Sequence, residues 1–156
     1  MSEPSASLRL HRLVNTGTGF DVSGVFSLPV PWQANAVVSP TMRLVATQLA
    51  DADGAPLGFV LHRVDVARAD AGSVTDVELV EVGRYCTPAG KAAFSLDDRW
   101  IVTHHRATAD DAIDLGFTGP SDPALAPYIG VSNVYLIDIA TGERTRVTNM
   151  QPGQHA

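Results

Sequence analysis

The chain has 156 residues, 45% hydrophobic and 18% charged, which suits one domain with a buried core and excludes a chain disordered throughout. Eleven lysines and arginines against 17 aspartates and glutamates give a net charge of −6, with the basic residues scattered or at most near neighbours such as Arg144 and Arg146; an acidic surface of this kind excludes nucleic acid and anionic membrane as ready partners. The single cysteine, Cys86, excludes an internal disulfide and any cysteine-built zinc cage, and reads as a small, half-buried apolar residue.

From the N-terminus, MSEPSASLRLHRLV lacks an apolar core behind a basic start, so no signal peptide is expected in this chain, and no apolar run approaches the ~20 residues of a membrane helix. Short stretches rich in Val, Ile, Leu, Thr and aromatic residues alternate with Gly, Pro, Asp and Asn, the pattern of an all-β protein. Strands are expected at 8–14, 24–28, 34–38, 43–49, 58–66, 77–82, 91–95, 100–104, 133–139 and 144–148. Gly17 and Gly19 in NTGTGF read as a turn, because no helix follows to bind a phosphate. FSLPVPWQ (26–33) reads as a crossover packed by Trp32, which is also a candidate partner contact.

DADG (51–54) and ATGE (140–143) carry hairpin chemistry: aspartates that bond their own backbone, and a glycine that tolerates positive φ. The first also resembles the start of a calcium loop, but Val60, Leu61 and His62 stand where the distal acidic ligand is required. Two longer connections interrupt the rhythm. One is the polar tract 67–76; the other is 106–132, with a short helix expected near 109–115, where Asp110 and Asp111 suit a helix N-terminus.

The chain also repeats. NAVVSPTMRLVATQL (35–49) aligns without gaps on KAAFSLDDRWIVTHH (91–105), placing Ser39 on Ser95, Arg43 on Arg99, Leu44 on Trp100, Val45 on Ile101 and Thr47 on Thr103 at a constant offset of 56 (Ser39 to Ser95). FVLHRVDV (59–66) aligns on VYLIDIAT (134–141), VELVEV (77–82) on RTRVTN (144–149), and LHRL (10–13) echoes LHRV (61–64). Two four-stranded units and the tail of an earlier one, with a period near 50 residues, are the signature of propeller blades. The units are 34–90 and 91–156, the second with the insertion 106–132, and 1–33 is the preceding tail and crossover.

The second unit resembles a TolB-type, WD-like β-propeller blade through Phe94, Ser95, Asp97, Arg99 and Ile101, and then Val134, Tyr135, Leu136, Asp138, Ile139, Thr141, Gly142 and Glu143. It departs at Leu96, where proline is usual, and at Asp98, where glycine is usual; the first unit keeps Ser39-Pro40 but has Thr41-Met42 at the turn. The resemblance implies antiparallel four-stranded blades forming a partial propeller, with a β-sandwich as the runner-up. It implies that Phe94 and Ile101 face a neighbouring blade and that Tyr135 and Ile139 extend the same core. It carries no catalytic set, and it leaves a periplasmic or extracellular location open.

Propellers close with about 4–8 blades, so two to three leave sheet faces and edges open. The expected completion is further blades of the same protein, a protein partner, or copies of this chain joined through open edges; the ending TNMQPGQHA reads as a lead into another blade.

Among chemical candidates, His104 and His105 head the long acidic loop, and Asp110, Asp111 and Asp114 are placed to add oxygen ligands, so these five form the candidate metal site and a divalent metal is the only cofactor entertained. Adjacent strand residues point to opposite faces, which weighs against one ion taking both histidines. Gly130-Val131-Ser132-Asn133-Val134 lacks the final glycine of a nucleophile elbow. The long loop is the preferred functional surface, with Tyr128 a candidate partner contact. The expectation is a non-catalytic scaffold or binding module; the alternatives are an accessory propeller segment of a hydrolase and a metal site at the His104/His105 strand end.

Overall fold

The computed structural model describes residues 6–30, 33–70 and 73–154, and Trp32 lies outside them. The strands are β1 (Ala6–Asn15), β2 (Phe20–Val30), β3 (Gln33–Val38), β4 (Leu44–Ala50), β5 (Pro56–Arg68), β6 (Val74–Tyr85), β7 (Ala89–Phe94), β8 (Trp100–Arg106), β9 (Ser132–Asp138) and β10 (Arg144–Arg146). The protein is all-β, and every strand pair is antiparallel. β3-β4-β5-β6 and β7-β8-β9-β10 are two four-stranded meanders, β1 and β2 form a hairpin, and no sheet closes into a barrel.

Local chemistry sets each reversal. Asp51 accepts hydrogen bonds from the N–H groups of Asp53 (3.0 Å) and Ala55 (2.8 Å), and Gly54 adopts φ +83°, so the carboxylate expected to make the β4–β5 turn is committed to it. Asp138 does the same between β9 and β10, accepting from Ala140 and Thr141 while Gly142 takes φ +74°.

The repeat is exact in hydrogen bonding over three strands. The Ser39 N–H donates to the Leu44 carbonyl and Ser95 to Trp100; Met42 donates to Ser39 and Asp98 to Ser95; Val64 donates to Arg43 and Ile139 to Arg99. Each serine hydroxyl then accepts the returning N–H, Leu44 at 3.1 Å and Trp100 at 2.9 Å. Cross-strand partners correspond throughout: Ala46 faces Leu61 as Val102 faces Leu136, and Gln48 faces Phe59 as His104 faces Val134. Both turns place a non-glycine residue at positive φ, Met42 at 61° and Asp98 at 56°.

Two expectations are corrected. The fourth strands are displaced by four residues from the sequence alignment: Arg144 pairs with Ile137, whose counterpart His62 pairs with Glu81 and not with Val77. The cause is hairpin length, since β5 and β6 run on to Arg68 and Val74 and absorb most of the tract 67–76, whereas β9 turns at Asp138. The helix expected at 109–115 is only a 3-10 turn over Ala109–Asp111, followed by irregular turns, and a second 3-10 segment spans Pro123–Tyr128.

The sheets stack in a fixed sense. Ala46, Phe59 and Leu61 of the first sheet, flanked by Val37 and Leu44, pack against Ala89, Ile101 and Ile137 of the second, flanked by Ala92, Phe94 and Ile139. Three polar ties cross the junction: Gln48 Nε2 donates to the Ala89 carbonyl (3.2 Å), the Tyr85 hydroxyl to the Ile139 carbonyl (2.8 Å), and the Ser39 and Thr41 hydroxyls to Asp98 Oδ2. The other face of the first sheet is buried at its middle, with Val45, Thr47 and Val60 fully covered, whereas Val66 of β5 and Val82 of β6 are exposed.

Truncating Phe59 to Ala empties the centre of this junction and should lower stability by about 3–5 kcal/mol. Met42→Gly relieves a left-handed backbone at an exposed side chain and should raise stability by about 1 kcal/mol. Urea midpoints of the two variants check both directions.

Candidate functional site

β8 ends as the long loop begins, and strand alternation separates its two histidines. Ile101, Thr103 and His105 face the first sheet and are buried, whereas Val102, His104 and Arg106 lie on the opposite face. His105 is 2% exposed; its Nδ1 lies 2.9 Å from the Pro88 carbonyl and its Nε2 2.7 Å from Asp111 Oδ2. The carbonyl only accepts, so Nδ1 carries a proton.

Asp111 sits in the 3-10 turn, where Oδ2 also accepts from the Thr108 N–H (2.7 Å) and hydroxyl (2.9 Å). Its Oδ1 receives Arg144 Nη2 at 3.4 Å, and that guanidinium also reaches Thr87 and lies 4.6 Å above the Tyr135 ring. Burial opposes ionisation of Asp111, but the bonds from Thr108 and His105 outweigh it and hold the carboxyl below the usual carboxylate range. The Tyr135 ring meets His105 edge-on at 5.8 Å, and its hydroxyl donates to Asp114 at 2.8 Å. Burial and the Asp114 charge raise the Tyr135 phenol well above its ordinary value, so it stays protonated.

The structure therefore brings His105 and Asp111 together and links Asp114 to them through Tyr135. His104 is turned to the other side of the sheet, and Asp110 is exposed with no side-chain hydrogen bond among the described residues. Among the described residues no three His, Cys, Asp or Glu side chains gather as metal ligands. Asp111, the one buried carboxylate of the candidate set, accepts three hydrogen bonds at Oδ2 and one at Oδ1 from protein donors. What the arrangement does chemically is to clamp the loop's first turn onto the end of the sheet. Arg144 is central to this clamp, yet nothing in its sequence neighbourhood marks it, because its partners lie 33 and 57 residues away.

Tyr128 packs on Phe117 with ring centroids 5.1 Å apart and donates to Gln151 at 2.8 Å, which ties the loop to the C-terminal segment. Asn133 Oδ1 accepts from the Met150 N–H at 2.9 Å and fixes the same segment to β9.

The outward face of the second sheet has the opposite character. Ala93, Trp100, Val102, Val134 and Leu136 occupy the positions of Val37, Leu44, Ala46, Phe59 and Leu61, but none of them is fully buried. An open groove crosses this face, walled by Pro127, Ile129 and Gly130 of the long loop and by Gly153 and Gln154. Lys91, His104 and Arg106 line it together with no acidic residue. Exposed Cys86 sits apart, in the link between the sheets.

Replacing Asp111 with Asn removes the charge and turns one of its two acceptor oxygens into a donor that faces protein donors, and should lower stability by about 1–3 kcal/mol near neutral pH. A depressed carboxyl stabilises the fold above its unfolded value of about 4, and that contribution is lost as pH falls through the lower folded value. Urea midpoints measured between about pH 7 and about pH 3 should therefore fall less steeply with acid in Asp111→Asn than in the parent. Comparison with known protein families, curated proteins and solved structures returned no match to this chain.

Proposed function

We propose that the chain is a non-catalytic scaffold and binding module built of propeller-type blades, one part of a larger propeller that further blades or a protein partner complete. The observation that carries this reading is the sense of the stacking. The face of the first sheet bearing Ala46, Phe59 and Leu61 meets the opposite face of the second, bearing Ile101 and Ile137, while equivalent residues in the two units pair in one register. A sandwich buries one inner face of each sheet and leaves the outer faces to solvent. Here the middle of the first sheet is buried on both faces, at Ala46, Phe59 and Leu61 on one and at Val45, Thr47, Val60 and His62 on the other, as the middle of a unit inside a continuing stack would be.

The non-catalytic half of the reading rests on the polar cluster. Asp111 takes donors on both carboxylate oxygens, the Tyr135 phenol is held protonated, and His105 has both ring nitrogens occupied, so its imidazole has no free nitrogen to serve a nucleophile as base. The outward face of the second sheet, apolar and groove-bearing, is the binding surface in this reading.

The full chain, assayed against ester, peptide and phosphate-ester substrates, should give no turnover above that of His105→Ala. Turnover that disappears in that variant, with its NMR spectrum still that of the folded chain, would make the cluster an active site and overturn the proposal.

A further inference from the structure

We infer that the outward face of the second sheet docks an antiparallel β unit of a protein partner that carries carboxylates, received by Lys91, His104 and Arg106. The inference rests on the stacked-module reading and adds the chemistry of what is bound.

The occupied junction supplies the template. On the first sheet, Asn35 Nδ2 donates to Gln48 Oε1 at 3.0 Å, and Gln48 Nε2 donates across the junction to the Ala89 carbonyl. Both residues are neutral, and a main-chain carbonyl is enough to receive them. At the offset of 56, Asn35 becomes Lys91 and Gln48 becomes His104, while the apolar floor is kept as Ala93, Trp100, Val102, Val134 and Leu136. An amide pair has been exchanged for a lysine and an imidazole, and Arg106 adds a second fixed cation two residues along β8.

Lys91 and Arg106 make no ion pair or side-chain hydrogen bond among the described residues, although the chain carries a net charge of −6. Gly90 makes room for the His104 ring, since a Cβ there would lie 3.2 Å from Nε2. Burying two unpaired cations beneath an apolar cover is unfavourable, whereas carboxylates on the cover convert the same groups into attraction and into selectivity.

A second copy of this chain is a poor cover. The face of its first sheet that would match is already buried through Val45, Thr47, Val60 and His62. Its β1–β2 hairpin presents Arg9 on the exposed face, across from Ser27, and would meet cations with a cation. A partner's β unit answers these charges when its packing face joins small aliphatic residues to Asp or Glu at the end that meets Lys91.

The test uses the intact chain and a cyclised β-hairpin peptide with one face of alternating Val and Ile and two glutamates at one end. A twin peptide has glutamines in place of the glutamates. Amide shifts on titration should map to Lys91, Val102, His104 and Val134, and the glutamate peptide should bind about tenfold more tightly than the glutamine peptide. The double variant Lys91→Glu/Arg106→Glu should abolish that preference. Equal binding of the two peptides at this face would leave the stacking intact and overturn the charge assignment. Absence of shifts at this face, or a glutamate preference that survives the double variant, would overturn the docking surface itself. Sedimentation showing a dimer that Val102→Glu dissociates would put a second copy on the face and overturn the assignment of a foreign partner.

Discussion

The burial of Phe59, Leu61 and Ala46 against Ile101, Ile137 and Ala89 is the contact on which everything else is arranged. A four-stranded antiparallel meander has two faces and cannot bury both alone. Joining opposite faces of successive units solves this for each interior unit and passes the problem to the end of the row. The Gln48, Tyr85 and Asp98 ties lie around the apolar contact and use main-chain carbonyls or a turn carboxylate. They fix the register of one sheet on the other, and the apolar contact supplies most of the favourable free energy.

All ten strands could be read from the sequence, because alternation and turn chemistry are local signals. The pairing of the first three strands of each unit was also legible, since Ser39 and Ser95 open turns of the same hydrogen-bonding pattern. The fourth strand was misaligned because β10 has three residues and β6 has twelve, so few side chains pinned the register. The helix at 109–115 failed for a different reason: Asp110 and Asp111 fit a helix start, but Asp111 turns inward to His105 and the segment closes as a single tight turn.

The candidate site was legible in its residues and not in its geometry. His105 and Asp111 were both singled out, and they do meet, but the sequence could not say that Thr108, Pro88 and Arg144 would fill the remaining positions around them. Tyr135 was read as part of the contact between sheets; it is buried on the face that Thr103 and His105 share, but its neighbours there include His105, Arg144 and Asp114, which the reading did not supply. Long-range partners of this kind leave no periodic trace. The difference between Lys91-His104 and Asn35-Gln48 is visible in the aligned repeats, but it acquires meaning only once Gln48 is seen crossing to Ala89.

Unequal cover has a kinetic consequence. The middle of the first sheet is enclosed on both faces, whereas the second has one face enclosed and one half open. Amides in the buried middle, at 45–48 of β4 and 59–62 of β5, can exchange with solvent only when the stack comes apart, so their protection reports the global opening. Those on the outer strands of the second sheet can exchange through fraying that leaves the first sheet intact. A ligand seated on the open face would slow exchange in β8 and β9 most, turning a graded pattern of protection into a uniform one.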